Sequence, residues 1–371
     1  MATGEDGLIE HIPSEETDRA VSLRGYEILT YPADFTLEVL VDKWAKKEIK
    51  VPQLQRRFVW TQVQSSKLIE SFLMGLPVPP VFFYQDRKDN KLLVIDGQQR
   101  LRTIVFFFSG LFGDAGSSKR TVSFNLTGLD ERSPYLGATY QKLKEDDEAA
   151  FNKLQNSVLR SFVMKQLDPA DDTSIFQVFE RLNTGGVILQ GQEIRNCIYE
   201  GKFNDMLINL NNYGSWRDII GKKSADKRMR DMELILRFFA LFHNVGHYKK
   251  PMKKFLNDYM GDNKSPSDPV IEKFGREFKQ TADVVIAYLG KQPFHLHRGL
   301  NAAVYDSVFT AFARHSKELS NAAVGSRGQR LQARFKKLVE NTDYLSWVTS
   351  ATTDDDVVPK RIDKAEEILF K

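Results

Sequence analysis

The chain has 371 residues, 42% of them apolar and 27% charged, with a formal net charge of +4. That is enough apolar material for a sizeable core without staples, and the length suggests two or three domains. The single cysteine, Cys197, excludes an intrachain disulfide and a Cys-based zinc site, and no apolar run approaches the ~20 residues that span a bilayer.

Residues 1–25 are acidic and poor in apolar side chains, which predicts a mobile arm. They resemble neither a secretory signal nor a transit peptide, so a cytoplasmic location in a reducing compartment is expected. From Thr36 the spacing of Leu37, Leu40, Val41 and Trp44 predicts a helix with Thr36 as its N-cap. A short strand over 49–51 ends at Pro52. A second amphipathic helix over 61–74 carries Val63, Leu68, Ile69, Phe72 and Leu73 inward and stops at Gly75. Pro77, Pro79 and Pro80 then force an extended passage. Strands follow over 81–84 and 91–95, joined by a short polar turn, and a helix runs from about 98 to 109. Gly110, Gly113, Gly116, Ser117 and Ser118 mark a loop. Further strands are expected over 121–126 and 158–166, on either side of a charged helical stretch over 138–156.

Beyond Pro169 the pattern is helical almost throughout, near 173–182, 191–200, 202–210, 228–245, 251–260, 268–290, 299–316, 326–340 and 360–370. The composition therefore predicts an α+β chain: a mixed α/β domain over 26–200 and an all-helical domain over 201–371.

Three segments carry chemistry. In Leu92 to Ile104 a buried strand gives way to Asp96-Gly97-Gln98-Gln99-Arg100 and a helix. A helix N-terminus offers free N–H groups and positive partial charge to an anion such as phosphate. Gly97 permits close backbone approach, Arg100 grips a phosphate with a planar fork, and Asp96 can hold a metal ion or a ribose hydroxyl. The alternative is that Asp96 only caps the helix while Arg100 pairs with a surface carboxylate. The second segment, Asn183-Thr184-Gly185-Gly186, leads to Glu193 and Arg195 early in the next helix; from the spacing alone a plain Gly-Gly helix stop is the favoured reading. The third, Pro52 to Trp60, sets Gln55 and Arg56 beside Phe58 and Trp60, or packs those two rings in the core around a solvated arginine pair.

Taken together, P-x-x-Q-R-x-F-V-W, S-x-L-I-E-S-F-L-M-G-L-P-V-P-P, I-D-G-Q-Q-R-L-R-T-I and L-N-T-G-G-x-x-L-x-x-x-E-I-R-N resemble the N-terminal domain of GmrSD-type restriction endonucleases, over about residues 30–200. The resemblance implies a ParB/sulfiredoxin-like fold and a nucleotide-binding and hydrolysing module of bacterial defence against foreign DNA. It implies that Asp96, Gly97, Gln98, Gln99 and Arg100 form the phosphate and metal side of a site for a nucleoside triphosphate and Mg²⁺. Gln55, Arg56, Asn183, Thr184, Gly185 and Gly186 would complete the pocket. Glu193 and Arg195 would form a second wall; in the metal-nuclease reading Asp96 and Glu193 hold the metal ion. Arg228-Met229 and Asp231-Met232-Glu233 are weaker motifs in the helical remainder.

Between residues 217 and 254 eleven lysines and arginines face four acids, a local net of +7 that suits a DNA backbone or a solvated helix face. Tyr213, Trp216 and Tyr248 are interleaved and are candidates to stack on bases. Among the six histidines, His243-x-x-x-His247 and His295-x-His297 lack an H-E-x-x-H or an HNH pattern and read as surface or packing residues. Cys197 reads as a core residue. Three functions remain open, in this order: a nucleoside triphosphatase coupled to DNA defence, a nucleotide or DNA sensor that recruits a partner nuclease, and a nucleotide-independent metal nuclease. DNA, a separate nuclease and a second copy of the chain are the expected partners.

Overall fold

In the computed structural model the chain divides between residues 189 and 190 into a mixed α/β unit and a helical unit. The structure describes residues 26–51, 58–87, 89–113, 122–168, 174–182, 190–296 and 299–371.

The mixed unit opens with β1 (Glu27–Pro32), β2 (Phe35–Thr36), α1 (Leu37–Ala45), β3 (Ile49–Lys50), α2 (Gln62–Met74), β4 (Val81–Gln85), β5 (Leu92–Asp96) and α3 (Gln98–Ser109). It continues with β6 (Leu111–Phe112), β7 (Val122–Ser123), α4 (Tyr140–Asp146), α5 (Glu148–Asn156), β8 (Val158–Leu159), β9 (Ser161–Asp168) and α6 (Ser174–Leu182). Thr36 caps α1 by accepting from the Val39 amide. Thr61 and Gln64 form a reciprocal capping box on α2, and Gly75 closes that helix in the left-handed region at φ 76°.

Five strands form one sheet in the order β1-β9-β4-β5-β3. The pairs β1–β9 and β4–β5 are antiparallel, while β9–β4 and β5–β3 are parallel. Alternation sends Val81, Phe83, Val94 and Val163 to one face, where they pack with Leu40, Leu68, Ile69, Phe72, Leu101, Ile104 and Phe107 from α1, α2 and α3. On the other face α6 packs against β5 and is pinned to β9 by the Ser174 amide donating to Gln166 Oε1 at 2.8 Å.

The sequence patterns anticipate most of these elements, with instructive differences. The stretch over 138–156 is two helices, because Asp147 leaves helical geometry and caps α5 by accepting from the Ala150 amide. The strand expected over 121–126 shrinks to Val122–Ser123 within the described residues. Strand β1 is an addition; it is an exposed edge strand, with little apolar alternation to announce it.

The helical unit holds α7 (Gly191–Ile198), α8 (Lys202–Leu210), α9 (Gly214–Ile220), α10 (Arg230–Asn244), α11 (Met252–Asp262), α12 (Asp268–Leu289), α13 (Ala302–Ser320), α14 (Gly325–Val339), α15 (Thr342–Thr349) and α16 (Val357–Phe370). Its core is aromatic: Phe238, Phe278, Phe309, Tyr305 and Trp216 meet ring to ring around α10, α12 and α13. Through this core runs a buried ion cluster. Asp306 accepts from Arg237 Nε at 3.1 Å and from Arg361 Nη2 at 2.9 Å, tying α13 to α10 and α16. Among the described residues no helix is long and apolar enough to cross a membrane.

Candidate functional site

Strand β5 is buried from Leu92 to Ile95 and delivers Asp96, with its side chain 45% exposed, to the end of the sheet. Gly97 then turns the chain at φ 95°, ψ 13° into α3. A Cβ at Gly97 would stand 2.2 Å from Val81 Cγ1 and 3.0 Å from Arg100 Nη2, so only glycine lets the helix start this close to β4. No side chain caps α3, and its first turn holds no acid. Asp96 is therefore not the helix cap, and the positive end of α3 carries no side-chain cap.

Arg100 does not reach outward. Its Nη2 donates to Asp96 Oδ2 at 2.9 Å and to the Pro80 carbonyl at 2.9 Å, so the aspartate and arginine of the motif neutralise one another across one helical turn. Gln99 is also engaged: its Oε1 accepts from the Val59 amide at 3.1 Å and the Trp60 amide at 3.4 Å. Phe58 packs edge-on against Phe106 and Phe112, at 4.9 and 5.5 Å between ring centroids. The end of the Pro52–Trp60 segment is thus joined to α3. Behind the motif, Thr103 and Ser65 share a buried hydrogen bond of 3.2 Å that fixes α3 on α2. Gln98 Oε1 and Arg100 Nε are buried and have no hydrogen-bond partner among the described residues.

Gln55, Arg56, Asn183, Thr184, Gly185 and Gly186 lie outside the described residues. Glu193 and Arg195 belong to the helical unit, where both are spent on structure. Glu193 Oε2 accepts from the Gln190 amide at 2.5 Å as the N3 member of the α7 capping box, and Arg228 Nη1 stands 3.7 Å away. Burial raises the Glu193 carboxyl above its ordinary range; the Gln190 amide and Arg228 pull it back, and Asp226 adds to the rise. Arg195 is wholly buried, with Nε on Gln192 Oε1 at 2.8 Å, Nη1 on Asn257 Oδ1 at 3.1 Å and Nη2 on Glu233 Oε2 at 2.6 Å. Neither presents a wall to solvent.

The basic stretch of the helical unit is also smaller than its composition implies. Arg237 is in the core, Arg217 pairs with Asp231 at 2.8 Å, Arg230 with Asp226 at 2.9 Å, Lys250 with Asp354 at 3.1 Å, and Lys254 with Asp258 at 2.5 Å. Trp216 and Tyr248 are buried, and the Tyr213 hydroxyl donates to Asp283; the first two rings are closed to a nucleobase. His243 packs between Tyr259 Oη at 2.7 Å and Glu277 Oε2 at 3.1 Å. Among the described residues no three His, Cys, Asp or Glu side chains cluster to hold a metal ion.

A strand that ends in Asp-Gly, a glycine no other residue replaces, and an uncapped helix opening on Gln-Gln-Arg form one continuous element. Residues 37–200 match the model of the GmrSD restriction endonuclease N-terminal domain. This segment is a GmrSD N-terminal domain. No curated protein matches the chain. The matched family is described as the N-terminal domain of a restriction endonuclease. Its last helix, α7, packs with α10 and α11 of the helical unit. The sequence reading missed the main-chain partners of the motif, the Pro80 carbonyl and the amides of Val59 and Trp60. No side-chain pattern signals a backbone group.

Proposed function

We propose that the mixed unit, in a ParB/sulfiredoxin-like arrangement, binds a nucleoside triphosphate at the start of α3 and hydrolyses it in the service of DNA restriction. The observation that carries this is the turn at Gly97. It aims an uncapped helix N-terminus, with no acid in its first turn, at the sheet end where Asp96 and Arg100 sit. Three or four phosphate oxygens suit such a cradle, because first-turn N–H groups have no intrahelical partners. Gln98 is the motif residue whose carboxamide oxygen is not committed to a described protein group, so it is the residue assigned to orient water.

Mg²⁺ fits the donor set in one way. It is commonly held by one or two carboxylates together with substrate phosphates, so Asp96 suffices on the protein side. When bound, it would neutralise phosphate charge. Were Asp96 to hold the metal, Arg100, which also donates to the Pro80 carbonyl, would be the motif cation nearest a phosphate oxygen. Glu193, buried and bonded to its own helix start, is not needed.

A second reading is a nucleotide sensor that recruits a partner nuclease. It is favoured by one observation: Arg100 and Gln99 are both engaged by protein, which suits tight binding with slow chemistry. The test is phosphate release from ATP, GTP, CTP and UTP with Mg²⁺, with and without DNA, for the wild type, Asp96→Ala and Arg100→Ala. Turnover that disappears in both folded variants supports hydrolysis. Binding without turnover moves the assignment to the sensor, and wild-type turnover retained in both variants refutes the site.

A further inference from the structure

We infer that Phe82 and Phe162 form the base-binding platform of this nucleotide site, a reading that rests on the proposed phosphate position at α3. The two rings stand on neighbouring strands β4 and β9, where they are directly paired in register. Their centroids are 5.4 Å apart with an interplanar angle of 20°, a stacked pair. Both are only partly buried. Val81, Phe83 and Val163, their sequence neighbours, belong to the core, so alternation puts Phe82 and Phe162 on the opposite face of the sheet.

Their level in the sheet matters most. Phe82 pairs with Asp96 in β5, Phe162 pairs with Phe82, and Pro32 in β1 pairs with Phe162. The row Asp96, Phe82, Phe162, Pro32 therefore crosses the sheet at the end where α3 begins. With strands about 4.8 Å apart, Phe82 is one strand and Phe162 two strands, roughly 10 Å, from the motif aspartate. Helix α6 is pinned to this face at Gln166, four residues further along β9, and Pro32 at the row's far end is exposed. Arg160, immediately before β9, adds a side chain 68% exposed at the same sheet end, its Nε 3.6 Å from Asp34 Oδ1. An aromatic stack at this span from an anion cradle, with a cation beside it, matches a nucleotide whose base extends the ring stack while its phosphates lie at α3. Stacking accepts any base, so the platform would bind the purine or pyrimidine ring with little selectivity.

The test compares the affinity of the full chain for each of ATP, GTP, CTP and UTP with its affinity for inorganic tripolyphosphate, which has the charge but no base. The variants are Phe82→Leu and Phe162→Leu, which keep apolar volume, and Arg100→Ala, each checked for an unchanged melting transition. The expected result is a loss of about tenfold or more in nucleotide affinity for each leucine variant, with tripolyphosphate affinity unchanged and both ligands weakened by Arg100→Ala. Nucleotide affinity retained in both leucine variants but lost in Arg100→Ala overturns the platform and leaves the phosphate site standing. Equal loss of both ligands in the leucine variants makes the rings structural and also overturns it. A wild type that binds neither ligand removes the phosphate site and the platform together.

Discussion

Arg195 Nη2 lies 2.6 Å from Glu233 Oε2, with the arginine fully buried and the glutamate 8% exposed. The arginine comes from the E-I-R-N end of the GmrSD N-terminal domain and the glutamate from α10, so two sequence motifs meet inside the helical unit. Asn196 strengthens the join, since its Nδ2 donates to Met229 Sδ. Removing one partner of a buried, hydrogen-bonded pair leaves an uncompensated charge, which typically costs about 3–5 kcal/mol. Arg195→Ala is expected to destabilise the chain by that order in urea denaturation. Replacing both residues, Arg195→Met with Glu233→Leu, should recover much of the loss. A single-variant cost below about 1 kcal/mol would show that the pair is not a structural tie.

Gly97 gives a sharper geometric prediction. A methyl group there meets Val81 Cγ1 at 2.2 Å while φ stays at 95°, so Gly97→Ala combines a steric clash with a disfavoured backbone. The expected cost is at least about 1–3 kcal/mol. A paired substitution, Gly97→Ala with Val81→Ala, removes the 2.2 Å contact with Cγ1 but not the dihedral or the 3.2 Å approach to the Val81 Cα. It should restore only part of the stability, and thermal melting of Gly97→Ala, Val81→Ala and the pair separates the two contributions.

The contrast between these residues explains what sequence can and cannot tell. The element D-G-Q-Q-R was legible because a strand, a glycine and a helix have local signals, and Gly97 does what a glycine at that junction must. Thr36 and Gly75 were legible for the same reason. Glu193 and Arg195 were not, because their partners Gln190, Glu233 and Asn257 are a matter of tertiary packing, and an early-helix acid reads alike as a cap or as a ligand. The basic stretch misled for a related reason: Arg217, Arg230 and Arg237 find acids in or near the helical core, Asp231, Asp226 and Asp306. A charge count along the chain cannot see such pairs.

Glu193 predicts a pH signature. Its carboxyl is raised in the folded chain, mainly by burial, against about 4.3 when unfolded. The sign follows from linkage: the folded state holds the proton more tightly, so the contribution is fully present below about pH 4.3 and is lost as pH rises through the folded value. Asp226 acts oppositely. Burial opposes its ionisation, but Arg230 and the amides of Arg228 and Arg230 together hold it below its ordinary range, so its stabilisation is lost as pH falls through that lowered value. Glu193→Gln removes only the first effect. Urea midpoints from pH 3.5 to 7, taken for both proteins, should diverge as pH rises above about 4.3 and then run parallel. A constant difference over that range would assign the titration elsewhere.

The carboxamide of Gln99 holds two consecutive amides, Val59 and Trp60, to the helix that carries the D-G-Q-Q-R motif. Only an acceptor at that position can do this. Gln99→Glu keeps an oxygen in place and is expected to preserve the latch, whereas Gln99→Leu of similar reach removes it. A hydrogen bond to an amide contributes about 1 kcal/mol, so exchange of the Val59 and Trp60 amide protons should quicken roughly fivefold in the leucine variant. Phe58, packed on Phe106 and Phe112, limits the effect to its neighbourhood. If hydrolysis uses this segment as a wall, the leucine variant raises KM with kcat nearly unchanged, because positioning of bound substrate is lost while Asp96, Gln98 and Arg100 remain. A drop in kcat alone, with exchange unaltered, would instead make Gln99 a participant in the chemistry and reverse the assignment between it and Gln98.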